Sequence, residues 1–353
     1  MRAGTGTATG AGAGTGRGAG PTVPAALGAA PPAPGRGPAV GVLAVLVASV
    51  LWGTTGTAAT LAPDVGPLAI GAAAMGVGGL LQAATAWRLV RAHGAALRRR
   101  PGLVALGGLA VAVYPLAFYS SMHVAGVAVG TVVSLGSAPL AAALVERVVD
   151  GRRLSGRWVA AAATGLVGIV LLCLGKVLGG GSGPGVAGAG PGGAGSLLGI
   201  AWGLVAGLTY ALYSWVAHRL MLGGVPSRAA MGAVFGVGGV LLLPVLAVTG
   251  APLLASWGNA AVGAYMALVP MFVGYVLFGL GLAHVPVSTA TTLTLLEPAV
   301  AAVLAVLVVG ERLPAVGWAG TGLVVVCLVV LTVPVGAGAG RRLRRRRLLR
   351  WTP

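Results

Sequence analysis

"LEPAVAAVLAVLVVGERL", residues 296–313, and "SAPLAAALVERVVDGRRL", residues 137–154, are one segment written twice. Set in register, Pro298 falls on Pro139, and Gly310, Arg312 and Leu313 fall on Gly151, Arg153 and Leu154. Upstream, Tyr114 and His123 stand nine residues apart, as do Tyr275 and His284. Similarity of this kind makes the chain two homologous halves, and a repeat has to be recognised before a fold is named.

The surroundings of both copies are apolar. Of 353 residues 57% are hydrophobic and only 8% charged, with a mean hydropathy of +0.96, whereas a soluble globular chain is about one quarter charged. Runs of roughly 20 apolar residues recur, each able to cross about 30 Å of hydrocarbon as a helix. Breaks at Gly, Pro and charge clusters give ten spans: 39–62, 67–90, 102–122, 126–147, 157–175, 197–218, 228–249, 258–281, 286–308 and 314–335. Helices are expected because a span must satisfy its own backbone, and the short alternating segments of a transmembrane barrel are missing. The expected organisation is a disordered tail (1–38), a first repeat (39–175), a Gly-rich linker (176–196), a second repeat (197–335) and a basic tail (336–353).

A net charge of +18 would suggest nucleic acid in a soluble protein. Here the arginines flank spans: five between Arg88 and Arg100, four between Arg147 and Arg157, seven in "RRLRRRRLLR" (341–350). With the N-terminus in the cytoplasm, 21 of the 23 basic residues lie inside, leaving Lys176 and Arg312 outside. That bias predicts an even number of crossings and two cytoplasmic termini, with anionic lipid at the basic loops and tail. No nucleic acid is expected. Five spans per half is an odd number, so the halves enter the membrane in opposite senses, an inverted-topology repeat.

Glu297 is the one acid deep in a span, where an ionised carboxylate costs roughly 2.5 to 3.5 kcal/mol, so it should not face lipid. Thr291, Thr294 and Glu297 share a helix face, and Pro298, lacking an N–H, frees the Thr294 carbonyl and favours a kink. Span 4 repeats the pattern with Thr131, Ser134 and Ser137 before Pro139. These faces are candidates for lining a cavity between the halves, with Trp52, Tyr114, Tyr210 and Tyr275 as aromatic candidates well inside their spans. A purely structural carboxyl, bonding a neighbouring helix, is the alternative for Glu297. Trp202 and Trp215 are read equally well as interfacial anchors, and His123 and His284 as ordinary loop-end residues. Cys173 and Cys327 read as small buried hydrophobes. Neither a metal site nor a cofactor is expected, and no G-x-x-x-x-G-K-[ST] loop is present.

The paired "APLAAALVERVVDGRRL" and "EPAVAAVLAVLVVGERL", each followed by a Gly-rich span, resemble the two EamA domains of the drug/metabolite transporter superfamily. The resemblance covers about residues 39 to 335; the first copy departs with Arg152 where the family usually has the glutamate present here as Glu311. It implies an all-α integral membrane protein with ten transmembrane helices, its cavity built mainly from helices 1, 3, 4, 6, 8 and 9. It further implies a secondary carrier, not an enzyme, moving a small-molecule substrate such as an amino acid, metabolite or drug, commonly outward, across the cytoplasmic membrane. Partners expected are that substrate, the lipid bilayer and a second copy of the chain in a homodimer. The competing reading is a membrane-embedded enzyme or lipid flippase acting on a lipid-linked substrate. An enzyme of that kind needs clustered carboxylates for a metal-bound diphosphate, or a nucleophile with its base, and five scattered acids supply neither.

Overall fold

The computed structural model describes residues 36–178, 194–310 and 312–333. Among the described residues ten helices are long and apolar enough to cross a membrane: α1 (Gly37–Ala59), α2 (Pro67–Thr85), α3 (Pro101–Ala125), α4 (Val129–Val149), α5 (Gly156–Gly175), α6 (Leu197–Leu222), α7 (Ser227–Thr249), α8 (Trp257–Leu282), α9 (Val287–Val308) and α10 (Ala315–Thr332). Each boundary falls within five residues of the sequence reading, and the described residues contain no strand. Of the expected disordered tail, residues 36–38 already belong to the first helix. Residues 1–35, the middle of the linker (179–193), Glu311 and the basic tail lie outside the described residues.

Proline and glycine set where these helices start and stop. Pro67 and Pro101 stand in the first turn of α2 and α3, and Pro226, Pro286 and Pro314 immediately precede α7, α9 and α10. An N–H there would have no intrahelical partner, so proline costs nothing and presets the backbone. Gly151 and Gly310, the glycines shared by the two copies of the repeat, have φ of 65° and 79°. Both close their helix in the left-handed region, where a side chain is strained. The shared glycine therefore marks a shared helix stop.

Helix pairing follows the repeat. α2 packs on α7, α5 on α10 and α4 on α9, each helix against its own counterpart; α3–α6 is matched by α1–α8, and α4–α6 by α1–α9. Exchanging helix n for helix n+5 thus maps the bundle onto itself, as an inverted repeat requires. Small residues allow the approach. A Cβ on Gly168 would stand 2.8 Å from the Gly320 carbonyl oxygen of α10, and one on Gly203 would stand 2.8 Å from Val133 of α4. Bare backbone at these crossings replaces the hydrophobic drive that lipid cannot supply.

Candidate functional site

Three helices are irregular, and they meet around Glu297. α1 is interrupted at Thr54. α8 is widened to π-helix over Ala267–Gly274 with Pro270 inside, and α9 is broken between Leu293 and Leu296. In α9 the missing N–H of Pro298 is answered locally. The Thr294 carbonyl accepts the N–H of Glu297 at 3.0 Å, and the N–H of Leu295 reaches the Thr292 carbonyl at 3.2 Å. The turn tightens toward 3₁₀ geometry instead of leaving a bare acceptor. α4, by contrast, runs unbroken through Pro139.

The break in α8 is held from α1. Trp52 donates its indole N–H to the Pro270 carbonyl at 2.8 Å, and Gly274 makes room for the ring: a Cβ there would stand 2.6 Å from Nε1. The indole lies 4.7 Å from the Tyr275 ring, 5.3 Å from Phe278 and 6.4 Å from Tyr210, between centroids. Tyr114 stacks on Phe118 at 5.8 Å and meets Tyr210 at 5.5 Å. The Tyr213 and Tyr275 hydroxyls share a 2.8 Å hydrogen bond, and Tyr210 donates to Thr294 Oγ1 at 3.1 Å.

Of these rings Trp52, Tyr114, Phe118, Tyr210 and Tyr275 wall a cavity of about 40 Å³, room for two or three waters. Trp52, Tyr114, Tyr210, Tyr275 and Glu297, all expected from sequence, line it together. The carboxylate of Glu297 is in neither of the two ion pairs among the described residues, and no described side chain donates to it. Thr131, Ser134, Thr291 and Thr294 are not in the lining. Thr291 and Thr294 donate back to carbonyls of their own helix, Val287 and Thr291, at 2.9 and 2.8 Å. Ser134 is buried with its hydroxyl unpartnered among the described residues, and Thr131 reaches only the Met122 sulfur at 3.7 Å.

The helices that line the cavity differ from those implied by the resemblance: α2 contributes Gly71, Ala74 and Met75, and α4 contributes nothing. The reason is steric. Gly203 and Gly207 of α6 press onto the polar face of α4, where a Cβ on Gly207 would collide with Ser137 Oγ. On the other side Gly71 lets the Tyr119 ring approach α2 so closely that a Cβ would stand 2.5 Å from it. A run of small residues carries no chemical signal, so the α2 wall escaped the sequence reading. Thr55 and Met271 line the cavity as well, and nothing in their own spans distinguishes them from neighbouring residues of the same types.

The arginine-rich end of the bundle holds a second polar centre that spacing alone could not reveal. Glu146, near the end of α4, is 2% exposed and reaches across to the start of α9. Its carboxylate accepts the Val287 N–H at 2.9 Å and the Ser288 hydroxyl at 2.6 Å, with Arg152 at 3.7 Å. A carboxylate on a helix N-terminus is favourably placed, because the first N–H groups lack partners and the dipole is positive there. Beside it Asp150 pairs with Arg219 at 3.0 Å and accepts the Trp215 indole N–H at 2.9 Å. Trp215 is therefore a buried cross-link between α4 and α6, whereas Trp202 is exposed on the bundle surface. His123 and His284 are exposed, and Cys173 and Cys327 are buried. Among the described residues no three His, Cys, Asp or Glu side chains come together.

Known proteins share this architecture. A solved crystal structure 20% identical to the chain superposes with a TM-score of 0.66, covering 88% of this chain and 99% of its own. An uncharacterized transporter of Bacillus subtilis, YwfM, is 32% identical over 291 residues, 82% of this chain and 93% of that protein. An uncharacterized transporter of Clostridium kluyveri is 33% identical over 120 residues, 33% of this chain and 38% of that protein. The model of the EamA-like transporter family matches residues 39–174 and 197–333, one match for each repeat. With ten spans, two matched repeats and a relative aligned over most of its length, the chain belongs to the EamA-like transporter family and so to the drug/metabolite transporter superfamily.

Proposed function

We propose that the chain is a secondary carrier that exports small organic solutes, amino acids, metabolites or drugs, across the cytoplasmic membrane by alternating access. The observation that carries this reading is Glu297, an acid with no partner among the described residues, halfway along a broken helix and facing a cavity walled by helices from both repeats. Sites of this kind, at the interface of inverted halves and built from discontinuous helices, are where secondary transporters bind substrate. Family and relatives speak for a transporter rather than an enzyme.

A cavity of about 40 Å³ is too small for an organic solute. The conformation described is thus a closed one, and the walls must part for substrate to enter. The breaks in α1, α8 and α9 supply hinges beside the site, and the Glu146 and Asp150 bonds lie at the end that the arginine bias places in the cytoplasm. Rocking of one half against the other opens the two ends in turn, and inward opening requires those bonds to break. Purified protein in liposomes tests the carrier reading: a panel of labelled amino acids, metabolites and drugs should include members that exchange across the bilayer. If no member moves, with or without a proton gradient, the reading is wrong.

A further inference from the structure

The cavity is unevenly equipped for different kinds of solute. Its lining contains one ionisable carboxylate, Glu297, and no Lys, Arg or His. With Glu297 ionised, a substrate carboxylate entering here would meet it with no described cation to offset the repulsion, and burying such a charge unpaired is costly. Hydrogen-bond donors that an anion would need are largely committed to the protein. The Trp52 N–H is held by Pro270, the Tyr210 hydroxyl by Thr294, the Tyr275 hydroxyl by Tyr213, and the Thr55 hydroxyl by the Trp52 carbonyl at 2.7 Å. What the lining still offers is the hydroxyls of Tyr114 and Tyr119, which have no hydrogen-bond partner among the described residues, and above all aromatic surface, on Trp52, Tyr114, Phe118, Tyr119, Tyr210 and Tyr275, around a carboxylate that no described residue pairs.

Ring faces carry negative quadrupole potential and attract cations, most strongly where water is excluded. Resting on the carrier reading above, we infer that this cavity takes an organic cation: a positively charged nitrogen on an apolar, preferably aromatic, body, its charge against Glu297 and its body among the rings. An anion of the same shape is opposed by the ionised carboxylate, and a zwitterion such as an amino acid, whose own carboxylate offsets part of its ammonium's attraction, is held more weakly than the cation. Discrimination of this kind needs no dedicated contact to the rejected solute, because an unpaired like charge supplies it.

Three probes of similar shape test the inference on the full-length protein in detergent: phenyltrimethylammonium, whose charge does not titrate, phenylalanine, a zwitterion, and phenylacetate, an anion. Calorimetric titration should rank the cation first, tighter than either other probe by about tenfold or more. Glu297→Gln should weaken the cation by about ten- to hundredfold, and Tyr114→Leu by about two- to thirtyfold. Phenylalanine or phenylacetate binding as tightly as the cation, or an unchanged affinity in a folded Glu297→Gln protein, overturns the inference. The ranking is read on the unsubstituted chain, so it decides even if a variant fails to fold. Liposome exchange separates the two levels. Movement of zwitterions or anions with no movement of cations leaves the carrier standing and sinks the cation site. Cation binding in the expected order without exchange of any solute does the reverse.

Discussion

α4 and α9 are the same helix of the two repeats, and they have come to hold their acids in opposite places. α9 has Glu297 at mid-span where α4 has Ala138; α4 has Glu146 near its end where α9 has Ala305. Their backbones differ in the same sense. α4 is continuous through its proline, tightly covered by α6, and its acid is fully engaged with α9. α9 is broken before its proline, π-helical over Ala305–Val309, and its acid has no partner among the described residues. An inverted repeat fixes where helices run, but it leaves each copy free to specialise. One copy places its acid at the cavity, and the other ties the two halves together at one end.

The most severe test of this division moves the acid. Ala138 is fully buried, and a Cβ on Gly207 would already stand 3.1 Å from its backbone nitrogen. Ala138→Glu therefore buries a carboxylate where there is no space for it, at a cost of about 3 to 5 kcal/mol or more, a large part of a typical total stability of about 5 to 15 kcal/mol. Little monodisperse protein should be recovered by fluorescence-detected size exclusion, and combining it with Glu297→Ala should not restore the yield. A double variant that folds and transports would make the halves interchangeable, and the contrast between them would collapse.

Next in size is the tie. Glu146→Ala strands the Val287 N–H and the Ser288 hydroxyl in a buried position, at about 1 to 3 kcal/mol for each unsatisfied group. The melting temperature should fall by several degrees, and Glu146→Gln, which keeps an acceptor, should fall less. In a background lacking Cys173 and Cys327, a cysteine at Thr291, one turn beyond the tie and fully buried, should react faster with a small thiol reagent when Glu146 is Ala. Equal reaction rates in the two backgrounds would mean that these bonds do not hold that end closed. A smaller effect is expected from Gly207→Ala, whose methyl group collides with Ser137 Oγ and pushes α6 off α4; overpacking of this kind costs about 1 to 3 kcal/mol, read as a lower melting temperature with the oligomeric state retained.

Much of the architecture is legible in the sequence because hydropathy and the repeated Pro and Gly report one-dimensional facts: span length and helix stops. Glu297 is legible too, since an acid in such a run has few places to go, and the mid-span aromatics Trp52, Tyr114, Tyr210 and Tyr275 join it in the cavity. What is not legible is which helix face meets which. Thr131 and Ser134 share a polar stripe with the right spacing, yet α6 covers it through glycines that bear no chemical mark. The partners of Glu146, Val287 and Ser288, lie more than 140 residues away and leave no mark in its own span. Both limits have the same source: spacing along one helix says nothing about the neighbour that closes on it.

The smallest expected effect concerns the one hydrogen bond that joins an α6 tyrosine to α9 beside the site. Tyr210 donates to Thr294 Oγ1, while the matching position of α4 is Leu135, a buried side chain with no hydroxyl to offer. Thr294→Val makes α9 resemble α4 at this point, removing the acceptor at nearly constant volume. The Tyr210 hydroxyl then loses its partner, and because it stands at the cavity wall water can replace part of the bond, so the loss should be near the low end of about 0.5 to 1.5 kcal/mol. Tyr210→Phe removes the same bond from the other side. In a double-mutant cycle on melting free energy, the two changes together should cost less than their sum by about that amount. Strict additivity would show that the bond contributes nothing and that Tyr210 is held by its ring contacts alone. A coupling of the expected size would show that α9, unlike α4, uses its polar face to fix an aromatic wall next to its own acid.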